Sequence, residues 1–174
     1  KDLMERAVMQ MDNYSDSRLR KAEVLASRPH QGAYGYTIPI RIDNKQYALK
    51  IWKEELYSAQ SHMKILCSKQ LNCELNYFLP LEYIDNGFVS EDCILPILLM
   101  DWVTGISMRE YIHMHLYESR LLLDLADHFL VMVSKLHQHH IAHGDLHGTN
   151  IIVKDNGELV LIDYDAIYLP HFEA

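Results

Sequence analysis

The sequence has 174 residues, of which 49% are hydrophobic, and a formal net charge of −8 at pH 7. That is enough chain for one sizeable core or two small lobes, and the acidic balance argues against a nucleic-acid-binding surface, which needs clustered lysine and arginine. Three cysteines without framework spacing indicate a reducing, cytoplasmic setting, and no apolar run is long enough to span a membrane.

The first 20 residues predict an amphipathic helix. Apolar side chains recur in it at helical spacing, as Leu3, Ala7 and Met11 show. We interpret this helical extension as a packing element that carries no chemistry. Because the sequence does not begin with Met, we expect residue 1 to lie inside a larger gene product or to follow a removed segment.

Three strand-like segments follow, at residues 21–28, 37–42 and 46–52. A glycine-bearing turn over residues 30–36 joins the first two, and a tight turn at 43–45 joins the last two. The segments therefore predict an antiparallel sheet.

The third of these strands carries a lysine in its middle. Side chains alternate along a strand, so Lys50 shares a face with Ala48, while Leu49 and Ile51 lie on the other face. We expect the face with Leu49 and Ile51 to pack on the core.

A helix and three more strands complete the first half of the chain. Residues 53–71 predict the helix, and residues 77–83 and 87–90 predict two short strands around an Asp-Asn-Gly turn at 85–87. The apolar run 93–100 predicts the last strand of this half.

The second half begins with two helices. Ser107 has capping-box spacing to Glu110, which predicts a helix start. A long helix is predicted at 118–138, with apolar side chains recurring at the 3.6-residue period. They are Leu121, Leu122, Leu125, Phe129, Val133 and Leu136.

The most informative stretch is residues 143–150, with an aspartate a short distance beyond it. Phosphoryl transfer needs a group that accepts or orients the proton of the nucleophile, and oxygen ligands that hold Mg²⁺ against the phosphates. Asp145 suits the first role, and Asn150 and Asp163 suit the second. The pattern therefore predicts a site for magnesium and phosphate.

A hairpin is predicted to bring these residues together. Residues 151–153 and 159–162 form its short apolar strands, and Asp-Asn-Gly at 155–157 forms the turn. Asp163 is therefore expected at the end of a strand, beside the loop that carries Asp145.

This stretch resembles the catalytic and metal-binding loops of the protein kinase-like superfamily, whose pattern is H-R-D-L-x-x-x-N followed by D-F-G. His143, Asp145, Leu146 and Asn150 match. The H-G-D-L-H-x-x-N version is similar to aminoglycoside and choline phosphotransferases and to atypical bacterial Ser/Thr protein kinases. The Asp-Tyr-Asp ending at 163–165 is more similar to the latter. The alternative is a chance polar loop before a hairpin.

The resemblance implies ATP and Mg²⁺ as cofactors and further roles in the first half of the chain. Lys50, in a Tyr-Ala-Leu-Lys strand, matches the lysine that holds the α- and β-phosphates. Gly32 and Gly35 match the second and third glycines of the loop that covers the phosphates, while His30 replaces the first.

The resemblance also implies an adenine-binding hinge after the apolar strand 93–100. Met100 matches the gatekeeper position at the end of that strand. The Asp101 carbonyl and the Val103 amide are then expected to bind the purine. Backbone atoms would make these contacts.

Three positions depart from the family's pattern. Gly144 replaces the arginine that reads activation-loop phosphorylation, and Asp165 replaces the glycine of D-F-G. We expect Asp165 to serve the geometry of the loop or, weakly, a second metal. His62 occupies the position of the helix glutamate that pairs with Lys50, and a neutral histidine cannot replace a carboxylate.

Five histidines between residues 137 and 147 raise the question of a zinc site. Their spacings do not match the common structural-zinc patterns, and no cysteine lies nearby to complete one. We interpret His143 as a buried residue that hydrogen-bonds the backbone near Asp163. The other four are interpreted as surface residues: His137, His139, His140 and His147.

These patterns predict an α+β protein of kinase-like fold, with the resemblance covering about residues 28–168. We expect a helical extension at 1–20, an antiparallel-sheet lobe with the hinge at 21–103, and a partial helical lobe at 104–174. The chain stops soon after the D-F-G equivalent, so we expect either a truncated piece of a larger kinase or a natural remnant that needs a partner.

The predicted function is transfer of the γ-phosphoryl of ATP to a hydroxyl, of a protein Ser or Thr, with Asp145 as the base. One alternative is a pseudokinase that binds nucleotide or a regulatory protein partner without chemistry, which the missing glutamate favours. Another is a small-molecule phosphotransferase, which requires acceptor-binding helices downstream. Joint retention of Lys50, Asp145, Asn150 and Asp163 favours the enzyme.

Overall fold

The structure is a computed structural model of the chain. It describes residues 2–32, 34–53, 63–67, 75–91 and 93–170. Contacts divide the chain into two compact units, which are residues 1–68 with 80–102 (unit 1) and residues 69–79 with 103–174 (unit 2). None of the helices within the described ranges has the length and apolar character to cross a membrane.

Unit 1 is built on a six-stranded antiparallel sheet, as the sequence predicted. Its strands pair in the order β1-β3-β4-β6-β5, and β2 also pairs with β3. In chain order they are β1 (Glu23–Val24), β2 (His30–Gln31), β3 (Gly35–Ile42), β4 (Lys45–Trp52), β5 (Leu81–Val89) and β6 (Ile94–Asp101).

The predicted strand at 21–28 is wrong in extent. Glu23–Val24 pairs there, the Leu25 N–H still donates to the Pro39 carbonyl at 2.9 Å, and strand pairing resumes at His30–Gln31 on the same neighbour, β3. Five residues, 25–29, therefore lie opposite two residues of β3, and the excess chain bulges out of the ladder. Pro29, which has no N–H to donate, is the last residue of this bulge.

The alternation predicted for β4 is confirmed. Leu49 and Ile51 are buried in the hydrophobic core of unit 1, beside Ile38 and Ile40 of β3. Lys50 lies on the opposite face, which it shares with Trp52.

The prediction of two strands around a turn at 85–87 is wrong. Residues 81–89 form the single strand β5, and both of its halves pair with β6 across a register shift between Ile84 and Phe88. The Asp-Asn-Gly segment is therefore a bulge in a continuous strand. Gly87 is required there because a Cβ atom would collide with the side chain of Ile97, which is fully buried.

The first 20 residues form three short helical segments, so the prediction of one helix is wrong. They are α1 (Asp2–Val8), a 3₁₀ turn (Met11–Asn13) and α2 (Ser17–Arg20). The side-chain amide of Asn13 donates to the Ala7 carbonyl, and Asp16 accepts from the Arg18 backbone N–H as the cap of α2. Such short polar side chains compete with the helical backbone bonds and end helices early.

Tyr14 joins this extension to the sheet. It is 1% exposed, its hydroxyl donates to the Val8 carbonyl at 2.6 Å, and its ring packs edge-on against Phe88 of β5. Burial raises the pKa of the Tyr14 phenol well above its usual range. The extension thus belongs to the core of unit 1, which confirms its interpretation as a packing element.

We expect Tyr14→Phe to lower the free energy of unfolding by about 1–2 kcal/mol, because the buried Val8 carbonyl loses the hydroxyl that donates to it. Urea unfolding followed by circular dichroism measures this change. The matched control is Tyr34→Phe, since Tyr34 is 58% exposed and should tolerate the same change. Equal unfolding midpoints for the two variants would contradict the prediction.

In its described residues, 75–79 and 103–170, unit 2 contains two helices and a three-stranded antiparallel sheet, β7-β8-β9. The helices are α3 (Met108–Met114) and α4 (Ser119–Gln138), and the strands are β7 (Ile106–Ser107), β8 (Ile151–Val153) and β9 (Leu159–Leu161). The predicted long helix and the predicted hairpin are therefore confirmed almost to the residue.

Local signals position these elements. Ser107 and Glu110 form both bonds of the predicted capping box at the start of α3. Leu125, Met132 and Leu136 are the buried side chains of α4. Gly157 has φ 82° in the turn of the hairpin, a conformation that glycine adopts without strain.

Candidate functional site

The loop of residues 143–150 lies in unit 2, between α4 and β8. The chain leaves α4 through His140, which has a left-handed φ of 55°. Ala142 then pairs with Tyr168 through two backbone hydrogen bonds, of 3.1 and 2.7 Å. These bonds hold the start of the loop against the segment that follows Asp163.

Gly144 stands where the family's pattern has arginine. Its φ is 79°, and a Cβ atom at this position would collide with the Ala166 carbonyl. Any side chain at position 144 would therefore displace the backbone of the neighbouring segment. This close packing explains why glycine, and not arginine, stands at position 144.

His143 is the buried histidine that the sequence predicted. It is 3% exposed, and its Nε2–H donates to the Ile162 carbonyl at 2.9 Å. Its ring also contacts the edge of Tyr164. Burial lowers the pKa of His143, although the Ile162 carbonyl opposes this shift. The hydrogen bond fixes the His143 ring against Ile162, the residue that precedes Asp163.

The lowered pKa of His143 predicts how stability depends on pH. The unfolded chain binds the proton more readily than the folded chain, so the His143 contribution is complete above the ordinary histidine pKa of about 6.5. It is lost as pH falls below that value. We expect wild type to lose stability as pH falls below about 6.5, measured by urea unfolding at a series of pH values. His143→Gln should flatten this slope, whereas equal slopes in the two proteins would contradict the assignment.

Asn150 and Asp145 are brought into direct contact. The Nδ2 group of Asn150 donates to the Asp145 backbone carbonyl at 3.0 Å and to its Oδ2 at 3.1 Å. Because a carbonyl oxygen only accepts, the nitrogen of the amide must face Asp145. The Oδ1 atom of Asn150 is thus the end of the amide that is left for a cation.

Asp163 follows β9 directly and is also tied to the loop through the backbone. The preceding N–H, of Ile162, donates to the Asn150 carbonyl at 3.0 Å. Asp163 itself has φ 62°, a left-handed conformation that costs most residues energy and that Asp and Asn tolerate best. Strained backbone of this kind concentrates at functional sites.

Tyr164 makes contacts that the sequence did not predict. Its buried hydroxyl donates to the Leu161 carbonyl and accepts from the Leu79 N–H at 3.1 Å. The Leu161 N–H donates to the Tyr77 carbonyl at 2.8 Å, and the Phe78 ring packs on Tyr164. Burial raises the pKa of the Tyr164 phenol. The hydroxyl that distinguishes Tyr from the family's Phe is the sequence signal from which these bonds could have been predicted.

No zinc cluster is found in the described part of the chain. Among these residues no group of three His, Cys, Asp or Glu side chains is arranged to hold a metal ion. His137, His139, His140 and His147 are exposed, as predicted. The oxygen atoms of Asn150 and Asp163 are instead the type of ligand that magnesium prefers.

In unit 1, Lys50 lies in the middle of β4 and is 8% exposed. Its backbone neighbours are Thr37 of β3 and Leu98 of β6, and its Nζ lies 6.0 Å from the centre of the Trp52 ring.

His62, the residue at the glutamate position, lies outside the described residues, as does most of the predicted helix. Residues 63–67 are helical.

Of the two glycines predicted to cover phosphates, Gly32 lies just before β3 and Gly35 is the first residue of β3. The Gly32 N–H donates to the Gly35 carbonyl at 2.9 Å, and Lys53 Nζ donates to the Gly32 carbonyl at 2.7 Å. A Cβ atom at Gly35 would collide with the Ile51 carbonyl. Close strand packing is therefore sufficient reason for glycine at position 35, whether or not phosphate binds.

The predicted hinge begins at the end of β6. Met100 is buried, and the Asp101 N–H donates to the Pro80 carbonyl at 3.1 Å. The Asp101 carboxylate pairs with Lys45 Nζ at 2.7 Å. Unit 1 ends at Trp102, so Val103 is the first residue of this segment that belongs to unit 2.

Residues 89–169 match the family model of the ABC1 atypical kinase-like domain. A comparison with curated proteins found no match. The matched segment contains Asp145, Asn150 and Asp163, whereas Lys50 precedes it. The match is consistent with the protein kinase-like superfamily, and the mixed α and β structure with its antiparallel sheet fits a kinase-like fold. Over these residues the chain is therefore similar to an ABC1 atypical kinase-like domain.

Proposed function

We propose that this chain is an ATP- and magnesium-binding kinase-like domain that transfers the γ-phosphoryl group of ATP to a hydroxyl of a protein Ser or Thr. The observation that carries the proposal is the pair of hydrogen bonds by which Asn150 holds Asp145. This pair lies within the segment that matches a kinase-like family. A chance polar loop has no physical need for this arrangement.

The ligand types in unit 2 fit magnesium. The Oδ1 atom of Asn150 and the carboxylate of Asp163 are hard oxygen donors, and magnesium usually takes only one or two carboxylates from a protein. When bound, the ion would neutralise negative charge on the phosphates. Asp145, whose side chain is 57% exposed, would accept or orient the proton of the acceptor hydroxyl.

Unit 1 would contribute the nucleotide contacts. Lys50 is proposed to bind the α- and β-phosphates, and the turn with Gly32 and Gly35 to cover them. Met100, the Asp101 carbonyl and the Val103 amide are proposed to border and bind the adenine. This assignment keeps residues 21–103 as the nucleotide-binding lobe and residues 104–174 as a partial catalytic lobe, with 1–20 as a packed extension.

Transfer of label from [γ-³²P]ATP tests the proposal. The purified chain is incubated with labelled ATP and a Ser/Thr peptide library, with and without Mg²⁺. We expect magnesium-dependent labelling of peptides or of the chain itself. Calorimetric titration with ATP runs in parallel. Binding without transfer would identify the chain as a nucleotide-binding pseudokinase, and absence of both would overturn the proposal.

A further inference from the structure

The face of α4 that points away from the core carries leucine. Leu125, Met132 and Leu136 mark the buried face of this 20-residue helix. At about 100° per residue, Leu123 and Leu130 lie on the opposite face, where an amphipathic helix normally has polar side chains. Leu123 is 66% exposed and Leu130 is 63% exposed. Two leucines therefore face solvent in the middle of the outer face of the helix.

Exposed apolar side chains extend this surface in both directions along the chain. Val131 is exposed next to Leu130, and the turn that precedes α4 exposes Leu116 and Tyr117, the latter at 99%. Concentrations of exposed apolar surface mark interaction sites on otherwise polar proteins. We name the five apolar residues the α4 patch: Leu116, Tyr117, Leu123, Leu130 and Val131.

Two residues of opposite charge lie among the leucines of the α4 patch. Arg120 precedes Leu123 by three residues and Asp127 follows it by four, so the three side chains share one face of the helix. Arg120 and Asp127 are both exposed, and within the described ranges neither forms an ion pair. Seven residues separate them by about 10 Å along the axis, too far to pair with each other.

The positions of these residues form a self-complementary pattern. Around a two-fold axis two α4 helices lie antiparallel, and every contact between two different residues is made twice with the roles exchanged. A register that sets Arg120 against the partner's Asp127 therefore also sets Asp127 against the partner's Arg120. Leu123 is near the midpoint of the two charges, so it meets the partner's Leu123 at the axis.

The same register covers the other members of the α4 patch. Tyr117 and Leu130 are equally distant in sequence from the axis, and so are Leu116 and Val131. Leu130 therefore falls opposite the partner's Tyr117, and Val131 falls opposite the partner's Leu116. One register thus removes all five apolar side chains from water and pairs both charges twice.

We propose that the α4 patch is a homodimer interface, in which two copies of this chain pair their α4 helices antiparallel around a two-fold axis near Leu123. The charges of Arg120 and Asp127 cancel, which argues against a nucleic acid or an anionic lipid surface, since both attract clustered cations. A second copy supplies the complementary charge at both places. The pairing goes beyond the proposed function and does not depend on nucleotide binding or phosphoryl transfer.

Sedimentation equilibrium of the full chain at a series of concentrations measures the association. A single helix pair is a small interface, so we expect a Kd of about micromolar size. The average mass should rise from monomer to dimer and no further, because a two-fold interface closes on itself. Leu130→Glu should weaken association by at least about 10-fold, since it sets a carboxylate against the partner's Tyr117.

The matched control is Leu3→Glu, the same substitution at an exposed leucine of α1. It should associate as wild type does. Leu130 is exposed too, so both variants should keep the wild-type circular dichroism spectrum and urea midpoint.

Charge exchange tests the antiparallel register. Arg120→Asp and Asp127→Arg each set like charges against each other at both ends of the pair, so each variant alone should associate at least about 10-fold more weakly. The double variant restores both ion pairs and should recover most of the affinity. An equal mixture of the two single variants should also form dimers, because every charge contact in the mixed pair joins opposite signs.

Several outcomes would overturn the proposal. They are a monomer at every concentration, a dimer that survives Leu130→Glu, equal weakening by Leu3→Glu, and assemblies larger than a dimer. Weakening by the single charge variants without recovery in the double variant would overturn the antiparallel register. The mass measurements contain no ATP, so the proposed function is tested separately by label transfer.

Discussion

Replacing Asp145 by Asn is expected to lower kcat for γ-phosphoryl transfer by about 10²- to 10⁴-fold, the range for loss of a general base. The carboxamide keeps the shape of the side chain and an oxygen that can accept from Asn150, so the loop should retain its hydrogen bonds. It can no longer take the proton of the acceptor hydroxyl. The Kd for ATP with magnesium should change little.

The measurement is the initial rate of label transfer at saturating ATP, with calorimetry for the Kd. Asp155→Asn is the matched control, because Asp155 is an exposed residue in the turn of the β8–β9 hairpin. It should transfer at the wild-type rate. Wild-type turnover by Asp145→Asn would remove Asp145 from the role of base.

Removing the carboxylate of Asp163 is expected to weaken magnesium-dependent ATP binding by more than about 10-fold. Asp163→Gly is the best variant, because glycine adopts the observed φ of 62° without strain, whereas alanine at this position would add about 1–2 kcal/mol of backbone strain. Binding measured without magnesium should not change. The difference between the two titrations therefore isolates the metal contribution.

Asp163→Asn and Asp163→Ala complete the series. Asn keeps a neutral oxygen ligand and tolerates the left-handed backbone, so its loss of binding should be smaller. Ala should match Gly in binding but unfold at lower urea concentration. If Asp163→Gly binds ATP with the same magnesium dependence as wild type, Asp163 is not a ligand of the ion.

The parts of the fold that could be predicted were those with local signals. The helix at 118–138 shows the 3.6-residue period, the capping box of Ser107 and Glu110 is a four-residue pattern, and Asp-Asn-Gly at 155–157 marks a true hairpin turn. Each of these patterns is satisfied by neighbours in the chain.

The same Asp-Asn-Gly tripeptide occurs at 85–87, where it wrongly predicted a turn between two strands. There β6 pairs with the residues on both sides, so the tripeptide becomes a bulge. The prediction for the first 20 residues was wrong for a related reason, since Tyr14 pairs with Phe88 of β5 and ties this segment to the sheet. In both cases a partner distant in sequence decided the local conformation.

The candidate loop was predicted well in one respect and incompletely in another. The contact of Asn150 with Asp145 and the burial of His143 agree with the residue types and spacing. His147 was assigned to the surface, which is true of its exposure but misses its hydrogen bonds with Thr149 and Asn150. Hydrogen bonds among exposed loop side chains depend on backbone turns that periodicity does not report.

The left-handed Gly144 has a consequence for how this chain could acquire regulation. Kinases that respond to phosphate on their own activation segment use an arginine at this position to sense it, and here the Ala166 carbonyl occupies the space that its first carbon would need. Arginine at position 144 would displace the backbone of the loop or of Ala166. Phosphate sensing through an arginine at position 144 therefore also requires the backbone at Ala166 to move.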